Sequence, residues 1–260
     1  MSDSDIITAF TAARASEAPL DHLPEPDPPA LDRAFALQCA ITRALGQLKN
    51  GWTQAGWKIG CTSERAQKAL NADGPFPGTM FSHRVYRSGD FFPTIASNKR
   101  VVEPEVAFTM EAGLPPRGRD YELAEVMRAA GSVQVAIEIV NPRTPHGFAD
   151  AVPWFIVDGG LNEGIVLGEP KKLLSREQFE HLKGTVTCNG EARQGGIGAN
   201  ALGGGDLALT WLANHLNAHG MGLKQGDIVT TGVITEFFSA NQGDTAEASF
   251  EHLGTVSVRF

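Results

Sequence analysis

The sequence predicts an α+β fold in which a helical segment, residues 1–50, leads into a β-rich catalytic body, residues 51–260, the two forming one functional unit. Three observations carry this prediction. Glycine supplies 29 of 260 residues, about 11% against a typical ~7%, so the chain needs many tight turns between short elements. β-Branched and alternating runs dominate the middle of the chain. The longest apolar stripe of helical period lies before residue 50.

Taken in order, Asp3 or Ser4 offers an N-cap for a short helix through about Ala15, and residues 19–29 (PLDHLPEPDPP) form a connector that no regular element tolerates. Leu31, Phe35, Leu37, Ile41, Leu45 and Leu48 then recur at near-helical spacing, predicting a helix over 31–48 that Gly51 stops. Strand signals follow at 57–60, 101–110, 133–140, 154–157 and 164–167. Two short helices interrupt them, one over about 121–130 and one opened by the capping box of Ser175 and Gln178. Leu209, Leu212 and Leu216 predict a helix over 206–219, stopped by Gly220, before strands at 227–231, 246–250 and 255–260.

Composition narrows the function. With 30 acidic against 22 basic residues and a net charge of -8, the chain offers no broad surface for nucleic acid or for an anionic membrane. Cys39, Cys61 and Cys188 are odd in number and lack C-x-x-C spacing, which argues against a disulfide framework or a cysteine zinc site. The acidic N-terminus is unlike a secretory signal and no apolar run approaches ~18 residues, so a cytoplasmic location is expected.

The chemistry concentrates in a few segments. In Val101–Phe108 (VVEPEVAF), strand alternation puts Val102, Pro104, Val106 and Phe108 on one face and Glu103 with Glu105 on the other. Such a pair is either a solvated strand face or a hard-oxygen site for Mg²⁺ or Mn²⁺. Glu138 lies in the run VQVAIEIV, apolar enough to be buried on both faces, and needs either an arginine such as Arg143 or a shared cation. Lys58, between Trp57 and Ile59, either snorkels to solvent or points into a cleft to bind a carboxylate or move a proton.

Other motifs speak more weakly. Residues 198–206 (GANALGGGD) lack the G-K-[ST] ending of a phosphate loop and read as a helix-entry loop. The segment 230–235 (TTGVIT) is either a simple turn or the wall of a site. His215 and His219 lack the H-E-x-x-H glutamate and read as two exposed helix histidines, whereas His83 is either a surface-loop residue or a base.

Together, WKIGCTS at 57–63, EPEVAF at 103–108, AIEIV at 136–140, GANALG at 198–203, GDIVTTG at 226–232 and the ending LGTVSVRF are similar to one family. The chain resembles the hydratase and decarboxylase branch of the fumarylacetoacetate hydrolase superfamily, which includes 2-keto-4-pentenoate hydratase and 4-oxalocrotonate decarboxylase. The resemblance implies a mixed β-roll, a Mg²⁺ or Mn²⁺ held by Glu103, Glu105 and Glu138, Lys58 as the catalytic residue beside the substrate, and Asp158 and Thr235 lining the pocket. It also implies a homo-oligomer and a small 2-oxo acid substrate.

Two segments depart from the family pattern: GPFPG at 74–78 has no tyrosine where P-x-Y-G is usual, and DGGLN at 158–162 replaces D-N-A-S-S, so that only Asp158 carries over. The implied activity is a metal-dependent hydro-lyase acting on a 2-hydroxy-2,4-dienoate or its 2-oxo tautomer from aromatic-compound catabolism. The alternatives are a 2-oxo-enoate decarboxylase, an acylpyruvate C–C hydrolase using His83, and an inactive small-molecule-binding homologue.

Overall fold

A computed structural model describes residues 2–48, 52–93 and 100–260 of the chain. The expected helix stop at Gly51 and the boundary between residues 50 and 51 lie outside the described residues. Helices α1 (Asp3–Ser16) and α2 (Leu31–Leu48) open the fold, followed by β1 (Gln54–Gly60), α3 (Glu64–Leu70), β2 (Phe76–Phe81), β3 (Val85–Arg87) and β4 (Arg100–Met110). Helix α4 (Leu123–Ala129) leads into β5 (Ala130–Val140), α5 (Val152–Val157) and β6 (Asn162–Leu167). Then come α6 (Arg176–His181), β7 (Lys183–Cys188), β8 (Glu191–Ala192), β9 (Gly196–Ile197) and α7 (Gly205–Ala218). Strands β10 (Ile228–Val233), β11 (Phe238–Ala240), β12 (Thr245–Phe250) and β13 (Gly254–Arg259) complete the chain.

The main sheet runs β2-β1-β10-β4-β5-β6-β3, with β11 beside β4. It is mixed, because β1 pairs parallel with β10 and β3 with β6 while its other ladders are antiparallel. A second, antiparallel sheet runs β13-β12-β7-β8, with β9 beside β7. This is the expected α+β roll, and its helices α1 and α2 share one apolar core with both sheets: Ile6, Phe10, Phe35 and Ile41 pack with Val102, Phe108, Ile137, Val256 and Val258.

Local chemistry explains most boundaries. Ser2, not Asp3 or Ser4, caps α1 through a reciprocal capping box with Asp5. Ser175 and Gln178 form the expected box at α6. The expectation of a strand over 154–157 is wrong: these residues belong to α5, which Pro153 starts from the first turn. Every residue of α5 except Pro153 is buried, so no polar position marks the helical period and the apolar run mimics a buried strand. Phe10 of α1 stacks on Trp154 at 6.0 Å between ring centroids, fixing the N-terminal helix over α5.

Candidate metal centre

Strand β4 is the axis of the site. It pairs along its length with β5, so that Glu103 faces Glu138 in register and Glu105 faces Ala136. On the opposite edge β10 runs beside β4 until Thr230 and Val233, where the register shifts, and β11 takes over at 100–102. Pro104, without an N–H to give, sits between those two partners, and its carbonyl accepts from Ile234 N at 3.2 Å.

One face of β4 carries Val102, Val106, Phe108 and Met110 into the core, as alternation requires. The other face is not solvated. Glu105 and Glu138 are fully buried, Glu103 is half-buried, and carboxylate oxygens of all three lie within 4.8 Å of one another. Glu105 Oε1 receives no hydrogen bond, and Glu138 Oε2 has the Lys58 ammonium 3.2 Å away without a well-directed hydrogen bond. Buried carboxylate oxygens left without donors are what a divalent cation would satisfy, and three hard oxygen donors suit Mg²⁺ or Mn²⁺.

Two of the three glutamates are each held by one backbone or amide donor. Glu105 Oε2 accepts from Gly232 N at 2.7 Å, an N–H that the bulge in β10 turns out of the ladder. Gly232 has φ +96°, and a Cβ there would fall 1.8 Å from Thr62 Oγ1, so only glycine fits. Glu138 Oε1 accepts from Asn162 Nδ2 at 2.8 Å.

The charge distribution follows. Burial alone would push Lys58 down, but Glu138, then Glu103 and Glu105, outweigh it and hold the ammonium above its ordinary value. Burial, only partly offset by Lys58, pushes the Glu103 carboxyl up to about 7, and burial with Glu138 raises Glu105 well above the carboxylate range. Three carboxylates facing one ammonium therefore leave the site short of positive charge.

Several sequence expectations change here. Lys58 does not snorkel; it is 3% exposed and points at Glu138. Arg143 is not the partner of Glu138, because its guanidinium is taken by Glu163 and Asp158. Asp158 is fully buried, with Oδ1 accepting from Arg14 Nη1 at 3.1 Å and Oδ2 from Arg143 N at 2.8 Å. Thr235 follows β10, and its hydroxyl donates to the Glu236 carbonyl at 3.0 Å. His83 is exposed and stacks on Trp52 at 4.0 Å, and the charges acting on it are Arg14 and Glu163.

His215 is not exposed like His219: it is half-buried against Phe35 and Trp211 and lines a cavity of about 620 Å³. The expected helix-entry loop ends at Gly204, the N-cap of α7, and Gly205 and Asp206 already lie in the helix.

Residue-by-residue reading missed Asn162 and the Gly159–Gly160 turn as parts of the site and left Gly232 between a simple turn and a site wall. Gly160 has φ +68°, and a Cβ on it would fall 2.7 Å from Gly78 Cα and 2.9 Å from Lys58 Cδ. The signals were present as the TTG and DGG triplets. Their partners, Thr62, Gly78 and Lys58, come from distant segments.

Comparison with known proteins shows the family. Residues 82–260 match the fumarylacetoacetate (FAA) hydrolase C-terminal family model. A 2-keto-4-pentenoate hydratase of Paraburkholderia phymatum is 30% identical over 100% of this chain and 99% of its own. A 2-oxo-hept-4-ene-1,7-dioate hydratase of Escherichia coli is 26% identical, covering 88% and 86%. The fold is shared by 4-oxalocrotonate decarboxylase from Pseudomonas putida G7, complexed with magnesium and adipate, at a TM-score of 0.85 and 21% identity over 100% and 98% of the two chains. The chain belongs to the fumarylacetoacetate hydrolase family.

Proposed function

We propose that the chain is a Mg²⁺- or Mn²⁺-dependent hydro-lyase that adds water to a 2-hydroxy-2,4-dienoate through its 2-oxo tautomer, in catabolism of aromatic compounds. The observation that carries the reading is the buried set of Glu103, Glu105 and Glu138, with its orphan Glu105 Oε1 and with Lys58 against it. Relatives named as hydratases of such acids support the substrate class.

Glu103, Glu105 and Glu138 would hold the cation, which when bound supplies Lewis-acid stabilisation of enolate charge. Gly232 N and Asn162 Nδ2 keep two of those carboxylates turned toward it. Lys58 keeps a proton at Nζ and stands where it can neutralise a substrate carboxylate or pass that proton to a carbon or oxygen of the dienoate. The close walls of Gly78 and Gly160 confine its side chain, so the ammonium has little freedom to leave the site. Asp158 acts behind the Gly159–Gly160 turn, and in this reading Thr235, which follows β10, is a further pocket residue.

Hydration is favoured over decarboxylation by the relatives, which are named as hydratases. Incubating the Mg²⁺-loaded protein with 2-hydroxypenta-2,4-dienoate and with its dicarboxylate homologue, followed by product mass, tests this. Gain of water on the monocarboxylate is expected. Loss of CO₂ from the dicarboxylate alone would move the assignment to a decarboxylase, and no turnover of either would leave a binding protein.

A further inference from the structure

The N-terminal helix reaches into the support of the metal centre through a single side chain. Arg14, near the end of α1, is 5% exposed, although it lies outside the segment matched by the family model. Its Nη1 donates to the Asp158 carbonyl at 2.5 Å and to Asp158 Oδ1 at 3.1 Å, and its Nη2 donates to the Asn162 carbonyl at 3.0 Å. The planar fork therefore ties together both ends of the 158–162 turn.

That turn meets the site in two places. Gly159 and Gly160, at φ +63° and +68°, form a thin wall: a Cβ on Gly159 would fall 2.7 Å from Arg14 Nη1, and one on Gly160 would fall 2.9 Å from Lys58 Cδ. At its end, Asn162 donates to Glu138 Oε1 at 2.8 Å. No chain segment thicker than a glycine backbone fits between the guanidinium and the lysine stem.

We infer that Arg14 is a positioning residue for the metal centre, acting through the 158–162 turn to aim Asn162 at Glu138 and to hold the wall against Lys58. This rests on the reading of Glu103, Glu105 and Glu138 as metal ligands. Its consequence is that α1 is part of the working site, and that metal affinity depends on a helix carrying no ligand.

The test measures Mn²⁺ affinity of the full chain by the electron paramagnetic resonance signal of free Mn²⁺. Wild type, Arg14→Ala, Arg14→Lys and Asn162→Ala are compared with Arg33→Ala, a surface control in the same helical segment whose guanidinium pairs with Asp3 and Glu25. Loss of an outer support of a ligand typically weakens binding by about 10–100-fold, and a weakening of at least tenfold is expected in Arg14→Ala and Asn162→Ala. Millimolar guanidinium should restore Arg14→Ala but not Asn162→Ala. Arg14→Lys keeps the buried charge and should fold even if Arg14→Ala does not; having no planar fork, it should also bind more weakly than wild type.

Wild-type affinity in both folded Arg14 variants, or equal weakening in Arg33→Ala, would overturn the inference. A loss confined to Asn162→Ala would overturn it equally, leaving Asn162 to act alone. Failure of wild type to bind Mn²⁺ is a separate result, and it would remove the metal reading itself.

Discussion

Replacing Glu103 by glutamine should make the metal-free protein more stable than wild type, and loading with metal should shrink that advantage, a dependence that an ordinary structural glutamate would not give. Burial pushes the Glu103 carboxyl up to about 7, with Lys58 opposing and Glu138 adding to it, from an ordinary value of 4.5. A raised folded-state pKa means that the folded chain holds this proton more tightly than the unfolded chain. The contribution is fully favourable below about pH 4.5 and is lost as pH rises through about 7. A difference of about 2.5 pH units corresponds to about 3 kcal/mol at pH 8, an upper value because Glu103 is only half-buried. Glutamine carries no such cost, so metal-free Glu103→Gln should melt higher than metal-free wild type by up to about 6–10 °C at pH 8. The gain should shrink to below about 1 kcal/mol near pH 5.

Saturating Mg²⁺ should then narrow the gap. A cation at about 100 times its Kd stabilises wild type by about 2.7 kcal/mol, and the variant, with one ligand fewer, gains much less. Differential scanning calorimetry with chelator and with Mg²⁺, at pH 5 and pH 8, reads all four states. If the metal-free variant is no more stable than wild type at pH 8, or if Mg²⁺ stabilises both alike, the assignment of Glu103 to a charge-strained cation site is refuted.

Three further outcomes are expected. Lys58→Met should lower turnover by on the order of 10²–10⁴ while leaving Mn²⁺ binding at least as tight, since a competing ammonium is removed; parallel loss of metal would show that Lys58 only maintains the site. Gly232→Ala, whose Cβ would overlap Thr62 Oγ1, should displace the N–H from Glu105 and weaken Mn²⁺ binding on the order of tenfold, as titration calorimetry would show; unchanged affinity would remove the bulge from the site. Burial, with His219 adding, holds the His215 ring down at about 4, so its contribution to stability is present above about pH 6.5 and is lost as pH falls toward 4. His215→Phe should therefore reduce the acid-side loss of stability in urea unfolding by about 1–2 kcal/mol, allowing for the partial exposure of the ring; equal pH slopes would contradict this.

Much of this molecule is written in local pattern. The period of Leu31 to Leu48, the Ser175 capping box and the alternation of Val102 to Phe108 each predict an element, because period and cap chemistry act over a few residues. The same alternation places Glu103 and Glu105 on one side of β4. Pattern fails where burial is complete: α5 shows no polar face, and a strand and a helix then look alike.

The roles of those side chains are decided by tertiary structure, because charge and burial depend on neighbours far along the chain. Lys58 taken alone reads more readily as a lysine snorkelling to solvent until β1 is laid beside β10, which stands beside β4, and Glu138 comes within 3.2 Å. Glu138 chooses Lys58 over Arg143 because Asp158 and Glu163 have already claimed that arginine. Gly232, Asn162 and Arg14 gain their place from a bulge, a turn and a helix that meet the site only when the chain is folded. By itself the sequence determined which carboxylates the protein owns and which strands carry them. Only the fold decided that they are buried together and short of positive charge, because the cost of gathering like charges arises when distant strands pair and water is excluded between them.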